Sequence, residues 1–351
     1  MTVKNGSDSS AERPRRSRRG LGGMTLRDVA ALAGVSTITA SRALNSPQQV
    51  SPATLARVRD AVERTGYVPN RVAGGLASSR SHLVAAVVPT IVGPVFLETV
   101  ESLTESLAGA GYQLMLGQSG YAGSREDALL EAIIGRRPDG IVLTGIMHTP
   151  EGRRRLLSSK IPIVETWDLT PTPIDMVIGF SHEGIGAAVA EYFHRRGRRR
   201  LAIISADDER GLRRKAGFVR AAARLTGITE APPAVLVTAP TALGAGRRAL
   251  SEVIALDPAI DAVFCSSDML ALGVLIEAKH QGIAVPGRLA VVGFGDLPLA
   301  EDFEPALTSV RVDGTAIGRL AARYIVDRAE GRAVDGRVID VGFSIVERAS
   351  G

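Results

Sequence analysis

Two apolar periodicities divide the chain. Between Thr25 and Ala33 the apolar residues Leu26, Val29, Ala30 and Ala33 recur at helical spacing behind Thr25, a residue suited to an N-cap, and Gly34 closes the run. Val35 is an apolar turn residue that plugs the corner, and Ser36 caps a second helical pattern that runs to Leu44. Ser51 and Pro52 signal a third helix, with Leu55, Val58 and Val62 on one face and Gly66 at its end. From His82 onward the pattern changes to short apolar runs alternating with longer amphipathic stretches, which predicts βα units feeding parallel sheets. The strand candidates are 83–88, 112–117, 140–144, 161–165, 200–204, 233–237, 261–265 and 288–293, with a short strand at 176–179. This series suits two sheets better than one, and 306–348 is left over to stitch them together. The predicted fold class is α/β, with a small all-α head.

Charge changes what the three helices mean. Residues 1–80 hold 13 Lys+Arg against 5 Asp+Glu, whereas the remainder holds 29 against 32. A basic head on a slightly acidic body is expected when only the head meets polyphosphate. Helix, tight turn and helix then read as a DNA-binding unit whose second helix, from Ser36, approaches base edges, with Arg42 reaching a guanine or a phosphate. Residues 1–23, rich in Ser, Gly and Arg and without apolar periodicity, are expected to be disordered. They serve either as a basic arm on DNA or as a solvated tail.

Other classes of function find little support. No apolar run approaches the roughly 20 residues that span a bilayer, and the N-terminus lacks a signal peptide's apolar core, so the expected location is the cytoplasm, at the nucleoid, with no membrane partner. The one cysteine, Cys265, cannot form an intrachain disulfide. Gly244-Ala245-Gly246-Arg247-Arg248-Ala249 loosely fits a dinucleotide-binding glycine pattern but lies late in the chain. There is no Walker A sequence, no HExxH, no GxSxG and no cysteine cluster. The expectation is no enzyme, no catalytic residues, no metal and no cofactor. A pure solute-binding protein would suit the body alone, but the basic head and the missing signal peptide argue against it.

The residues of the head also resemble a known family. Thr25-Leu26-Arg27-Asp28-Val29-Ala30, Ala33-Gly34-Val35-Ser36, Ser41-Arg42-Ala43-Leu44-Asn45, Val50-Ser51 and Gly66-Tyr67-Val68-Pro69-Asn70 are similar, in order and spacing, to the headpiece of the lac and gal repressor family. The resemblance implies a helix-turn-helix headpiece at 24–68, a hinge helix or linker at 69–80, and a periplasmic-binding-protein-like body at 81–351. That body would have two lobes, the first at 81–179 and 310–330, the second at 180–309 and 338–348. Thr37, Ile38 and Arg42 would read bases, and Leu76 would wedge into the minor groove. Thr25, Ser36, Ser41, Asn45, Asn70 and Arg71 complete the expected DNA-binding set. Gly74-Gly75 stands where helix formers are usual, and each glycine costs about 1 kcal/mol of helix stability, so the hinge helix is expected to be weak without DNA. The expected partners are double-stranded operator DNA, a second copy of the chain in a homodimer, and a small effector.

The effector belongs in the cleft between the lobes, where strand C-termini and helix N-termini converge. Phe96, Glu165, Phe180, Ser267 and Asp268 lie in or beside loops that follow strands, and they are candidates together with His148. By resemblance, Arg214 is the arginine aimed at the effector, its fork suited to a carboxylate or vicinal hydroxyls. Gly295 stands where the family usually has an aspartate for neutral sugars, with Asp296 one residue late. Gly120-Tyr121, Leu143-Thr144, His148-Thr149-Pro150, Val164-Glu165, Asp168, Gly179-Phe180, Asp208-Glu209-Arg210 and Phe264-Cys265 look most like the gluconate-utilisation repressors. Both features imply a sugar acid such as gluconate or 2-ketogluconate. A neutral sugar or another small metabolite is the alternative.

Overall fold

The computed structural model describes residues 24–68, 80–91, 93–121, 123–146, 148–227, 231–334 and 336–351. They form two units, one ending before Arg80 and one beginning there. The tail 1–23 and the hinge residues 69–79, including Asn70, Arg71, Leu76 and Gly74-Gly75, lie outside the described residues.

The head consists of α1 (Leu26–Ala33), α2 (Thr37–Asn45) and α3 (Pro52–Thr65). Each is started by a side chain that satisfies an N-terminal amide: Thr25 accepts from the Asp28 amide, Ser36 from Thr39, and Ser51 from Thr54. Thr25 and Asp28 form a reciprocal capping box. Val29, Ala33, Ala43, Val58 and Ala61 make the core, with Val35 packed against it at the corner between α1 and α2.

The body contains two six-stranded sheets. The first joins β1 (Leu83–Val88), β2 (Gln113–Gln118), β3 (Gly140–Thr144), β4 (Ile163–Thr166), β5 (Met176–Gly179) and β11 (Val338–Asp340) in the order β11-β5-β4-β3-β1-β2, all parallel. The second joins β6 (Leu201–Ala206), β7 (Ala234–Val237), β8 (Ala262–Cys265), β9 (Ala290–Phe294), β10 (Thr308–Arg311) and β12 (Ser344–Val346) in the order β12-β10-β9-β8-β6-β7, with only β12 antiparallel. Helices α4 (Leu97–Gly109), α5 (Gly123–Ile134) and α6 (Pro150–Ser159) follow strands of the first lobe. Helices α7 (His182–Arg195), α8 (Glu209–Thr226), α9 (Leu243–Leu256) and α10 (Asp268–His280) belong to the second. The central strands, such as β1, β3, β8 and β9, are nearly continuous buried apolar runs, as expected where helices cover both faces of a parallel sheet.

The returns between lobes differ from the sequence expectation. Residues 310–311 end β10 in the second sheet, and the return to the first lobe is α11 (Gly314–Ala329). There Thr99 donates to the Gly314 carbonyl at 3.0 Å and Ser102 to that of Thr315 at 2.9 Å. The segment 338–348, expected in the second lobe, divides: β11 extends the first sheet beside β5, and only β12 reaches the second. Three-residue strands carry too little periodicity to reveal which sheet edge they complete. One glycine of the dinucleotide-like pattern, Gly246, has a packing role. A Cβ on Gly246 would collide with the Leu270 backbone, so its absence lets α9 lie directly against α10.

Candidate functional site

The C-terminal ends of strands in both lobes face one cleft. Most wall residues end or follow a strand or lie in the first turns of a helix, the arrangement that concentrates loop side chains and helix N-termini at one place. The first lobe contributes Thr90 after β1, Val95 and Phe96 before α4, Tyr121 after β2 and Trp167 after β4. The second contributes Asp208, Arg210 and Arg214 at the start of α8, Thr241 after β7, Ser266 and Ser267 after β8, and Phe294 at the end of β9. One wall is therefore aromatic and the other polar.

The aromatic wall is fixed by edge-to-face contacts. Phe96 meets Trp167 at 5.0 Å between ring centres, and Trp167 meets Phe180 at 5.6 Å. The Trp167 indole donates to Thr99 at 3.0 Å. Arg210 reaches across from the second lobe, its guanidinium 5.2 Å from the Phe96 ring centre.

The polar wall centres on Arg214, which is only 5% exposed. Its Cζ lies 4.2 Å from the centre of the Phe294 ring, and its Nη1 lies 2.9 Å from His182 Nδ1. Burial pulls its pKa down to about 10, while the charges of Asp208 and Asp168 oppose that pull, so Arg214 stays cationic at neutral pH. Arg214 Nε and Arg210 Nη1 are buried without a hydrogen-bond partner among the described residues. Buried donors left unpaired are costly, and an acceptor entering the cleft would relieve them. Asp208 is the N-cap of α8, accepting from the Gly211 amide at 2.7 Å. Asp168 is held by Arg213 at 3.0 Å, and burial raises its pKa.

A polar chamber adjoins the cleft, sharing Tyr121, Asp208 and Arg210 and lined also by Glu126, Thr144, His148 and Asp168. His148 stands between two carboxylates, 2.9 Å from Glu126 and 3.3 Å from Glu165. Burial disfavours its charged form, but the hydrogen bond with Glu126 and the negative charges of Glu126 and Glu165 outweigh that and raise its pKa to about 9.

The effector candidates from the sequence thus separate into groups. Phe96, Arg214 and Ser267 line the cleft, and His148 lines the chamber. Phe180 does not: it is fully buried between Trp167, His182 and Phe294 and supports the wall from behind. Glu165 is also fully buried, accepting from the Ile174 amide at 2.7 Å as well as contacting His148, so its carboxylate is turned into the first lobe. Asp268 accepts from Ser309 Oγ at 2.6 Å and the Leu297 amide at 2.8 Å and points into the second lobe. Ser267, not Asp268, caps α10. Trp167, Tyr121, Asp208, Arg210, Thr241 and Phe294 were not among the expected site residues. Their common signal is position at or within a few residues of the C-terminal end of a strand, and Trp167 is moreover the one tryptophan of the chain.

Gly295 lies at the cleft margin with φ +127°, a conformation in which an L side chain is strained; a Cβ there would sit 3.5 Å from Val95 and 3.6 Å from an Asp268 oxygen. Asp296 does not replace the missing carboxylate, because it is turned away to meet Arg348 at 2.6 Å.

In the head, Thr37, Ile38, Arg42 and Asn45 are exposed and Ser41 half-buried along one face of α2, with Ile38 71% exposed. An apolar side chain that exposed, beside an arginine with no ion pair among the described residues, fits a contact surface. Thr25 and Ser36 are occupied as caps, and Asn45 Nδ2 donates to the Ser41 carbonyl at 3.0 Å.

The chain matches two family models: "Bacterial regulatory proteins, lacI family" over residues 25–70, and "Periplasmic binding protein-like domain" over residues 190–351. It is 38% identical over 333 residues to the HTH-type transcriptional regulator GntR of Pseudomonas aeruginosa, covering 95% of this chain and 97% of that one. With the regulator of the same name from Escherichia coli strain K12 it shares 30% identity over 321 residues, covering 91% and 96%. A crystal structure of a lacI family transcriptional regulator from Silicibacter pomeroyi is similar with a TM-score of 0.87 at 32% identity, covering 93% of this chain and 99% of that one.

Proposed function

Because the chain belongs to the lacI family of bacterial regulatory proteins, we propose that it represses genes of sugar-acid metabolism and that a small sugar acid held between its lobes sets its affinity for operator DNA. It is a transcriptional regulator and not an enzyme. Regulators of this family bind operator DNA and small-molecule effectors and act as dimers.

The observation that carries the effector assignment is the pair of buried guanidinium nitrogens on Arg210 and Arg214 at the cleft that have no hydrogen-bond partner among the described residues. An anionic carboxylate satisfies donors of this kind with charge-assisted, often bidentate bonds. Gly295 strengthens the reading, since an acidic side chain there would stand beside Asp268 at the cleft margin and repel an anion. Phe96 and Trp167 offer an apolar wall for the sugar carbons, and Thr90, Thr241 and Ser267 offer hydroxyls for the polyol. The likeness to regulators named GntR is consistent with this class of effector. Isothermal titration with gluconate, 2-ketogluconate, idonate and neutral hexoses tests it. Binding to the sugar acids alone is expected; binding only to a neutral sugar or a purine overturns the assignment.

In the head, Thr37, Ile38 and Arg42 are proposed to meet bases and phosphates, with Asn70, Arg71 and Leu76 of the hinge completing the contact. A homodimer brings two heads to a near-palindromic operator, multiplying a contact that is small for one head. The first-lobe helices near 94–110 and 124–136 are the proposed pairing surface, and Leu97 on α4 is an exposed apolar side chain there. An effector that prefers one lobe arrangement by a few kcal/mol would shift the population competent to bind operator.

A further inference from the structure

His182 opens α7 and is buried between Phe180, whose ring centre is 4.9 Å away, and Phe294. Its two ring nitrogens meet partners of opposite and fixed polarity. Nε2 lies 2.9 Å from the carbonyl oxygen of Trp167, which can only accept a hydrogen bond. Nδ1 lies 2.9 Å from Arg214 Nη1, which can only donate. The proton therefore resides on Nε2, and Nδ1 is a bare acceptor. A doubly protonated ring would set two N–H groups against each other inside the protein. Burial and the charges of Arg214, Arg210 and Arg213 act in the same direction, pushing the pKa of His182 well below its ordinary value.

The consequence concerns the charge of the cleft. A buried arginine is usually held by a carboxylate, which fixes its orientation and cancels its charge. The carboxylates of Asp208 and Asp168 act on Arg214 through their charge alone; among the described residues, the partners that meet its guanidinium are a neutral imidazole and the face of the Phe294 ring. Both orient the fork without neutralising it. The same imidazole holds Trp167, whose ring forms the opposite wall of the cleft.

We propose that His182 is the positioning residue that makes Arg214 a receptor for an anion, holding the guanidinium through a neutral acceptor. This rests on the sugar-acid reading of the cleft. Three variants of the full-length protein separate its parts. His182→Asn keeps an oxygen acceptor near the place of Nδ1, His182→Gln keeps only a donor near the place of Nε2, and His182→Asp supplies a carboxylate that pairs with Arg214. Calorimetric titration with gluconate, and with sorbitol as its neutral counterpart, is expected to show near wild-type gluconate affinity for the Asn variant. The Gln variant is expected to lose about 10- to 100-fold, the weight of a hydrogen bond to a charged group. The Asp variant is expected to lose the preference for gluconate over sorbitol. Wild-type gluconate affinity in both the Gln and Asp variants would overturn the proposal. If the wild-type protein binds no sugar acid, the effector reading fails separately, and the role of His182 is then judged by nitrogen NMR of the full-length protein, assigned with the Asn variant. A neutral ring carrying its proton on Nε2 at about pH 6, where an ordinary histidine is largely charged, is the expected result. A doubly protonated ring, or a proton on Nδ1, would overturn it.

Discussion

His148 Nδ1 lies 2.9 Å from Glu126 Oε1, and the same ring contacts Glu165 on its other side, so a buried histidine is clamped between two carboxylates at the floor of the chamber. Its pKa in the folded protein is raised to about 9, against 6.5 in an unfolded chain. The folded state therefore binds the proton more tightly, and the stabilisation is fully present below about pH 6.5 and disappears as the pH rises through about 9. Urea unfolding of the wild-type protein should show stability falling by about 1–3 kcal/mol across that window. In His148→Gln the fall should be absent, and an unchanged slope would contradict the assignment.

Arg214 can be tested apart from DNA binding. Arg214→Met keeps the bulk over Phe294 while removing the charge, and it should weaken sugar-acid binding by about 100-fold or more, as expected when one partner of a desolvated charge pair is lost. Operator binding without effector should persist in a gel shift. Retention of gluconate affinity would show that the anion sits elsewhere.

Gly295→Asp places a carboxylate where the resemblance implies one in relatives that bind neutral sugars. The positive φ and the nearby Asp268 carboxylate, whose own pKa burial has raised to about 6, both oppose it. The substitution should cost about 1–3 kcal/mol in denaturant unfolding and should weaken anionic effectors more than sorbitol. A gain in sugar-acid affinity would refute the argument from charge.

The head allows caps and contact residues to be told apart. Ser36→Ala removes the acceptor for the Thr39 amide and should destabilise the head by about 1 kcal/mol. Arg42→Ala and Ile38→Ala touch exposed side chains and should leave the melting curve within about 0.5 kcal/mol. Both should nevertheless lower operator affinity in a gel shift run at constant salt, and Arg42→Ala should also reduce the salt dependence of binding if the arginine meets a phosphate. Loss of stability without loss of affinity in these two variants would reverse their roles.

Local chemistry made most of the architecture legible. Caps at Thr25, Ser36 and Ser51 and the helical spacing of apolar residues define α1 to α3, and the apolar runs at 83–88 and 140–144 coincide with β1 and β3. These signals depend on neighbours within a few residues, so they survive in sequence form. The return strands β11 and β12 were not legible, because three residues of mixed polarity do not identify the sheet that pairs with them.

The candidate site divides along the same line. By itself the sequence determined that Phe96, Glu165, Phe180, Arg214, Ser267 and Asp268 lie near the ends of strands and the starts of helices, and that the body carries a basic stretch at the start of α8. Only the tertiary structure decided which of them face the cleft. Alternation along β4 would put Glu165 and Trp167 on the same side, but Trp167 lies just beyond the strand with φ +65° and reaches the wall, while Glu165 stays in the interior, as does Phe180 after β5. Arg214 is distinguished from Arg213 in the same way: Arg213 turns to Asp168, while Arg214 is held by His182 from the start of a different helix. That pairing spans 32 positions, and contacts at such separation exist only once the sheets and helices have packed.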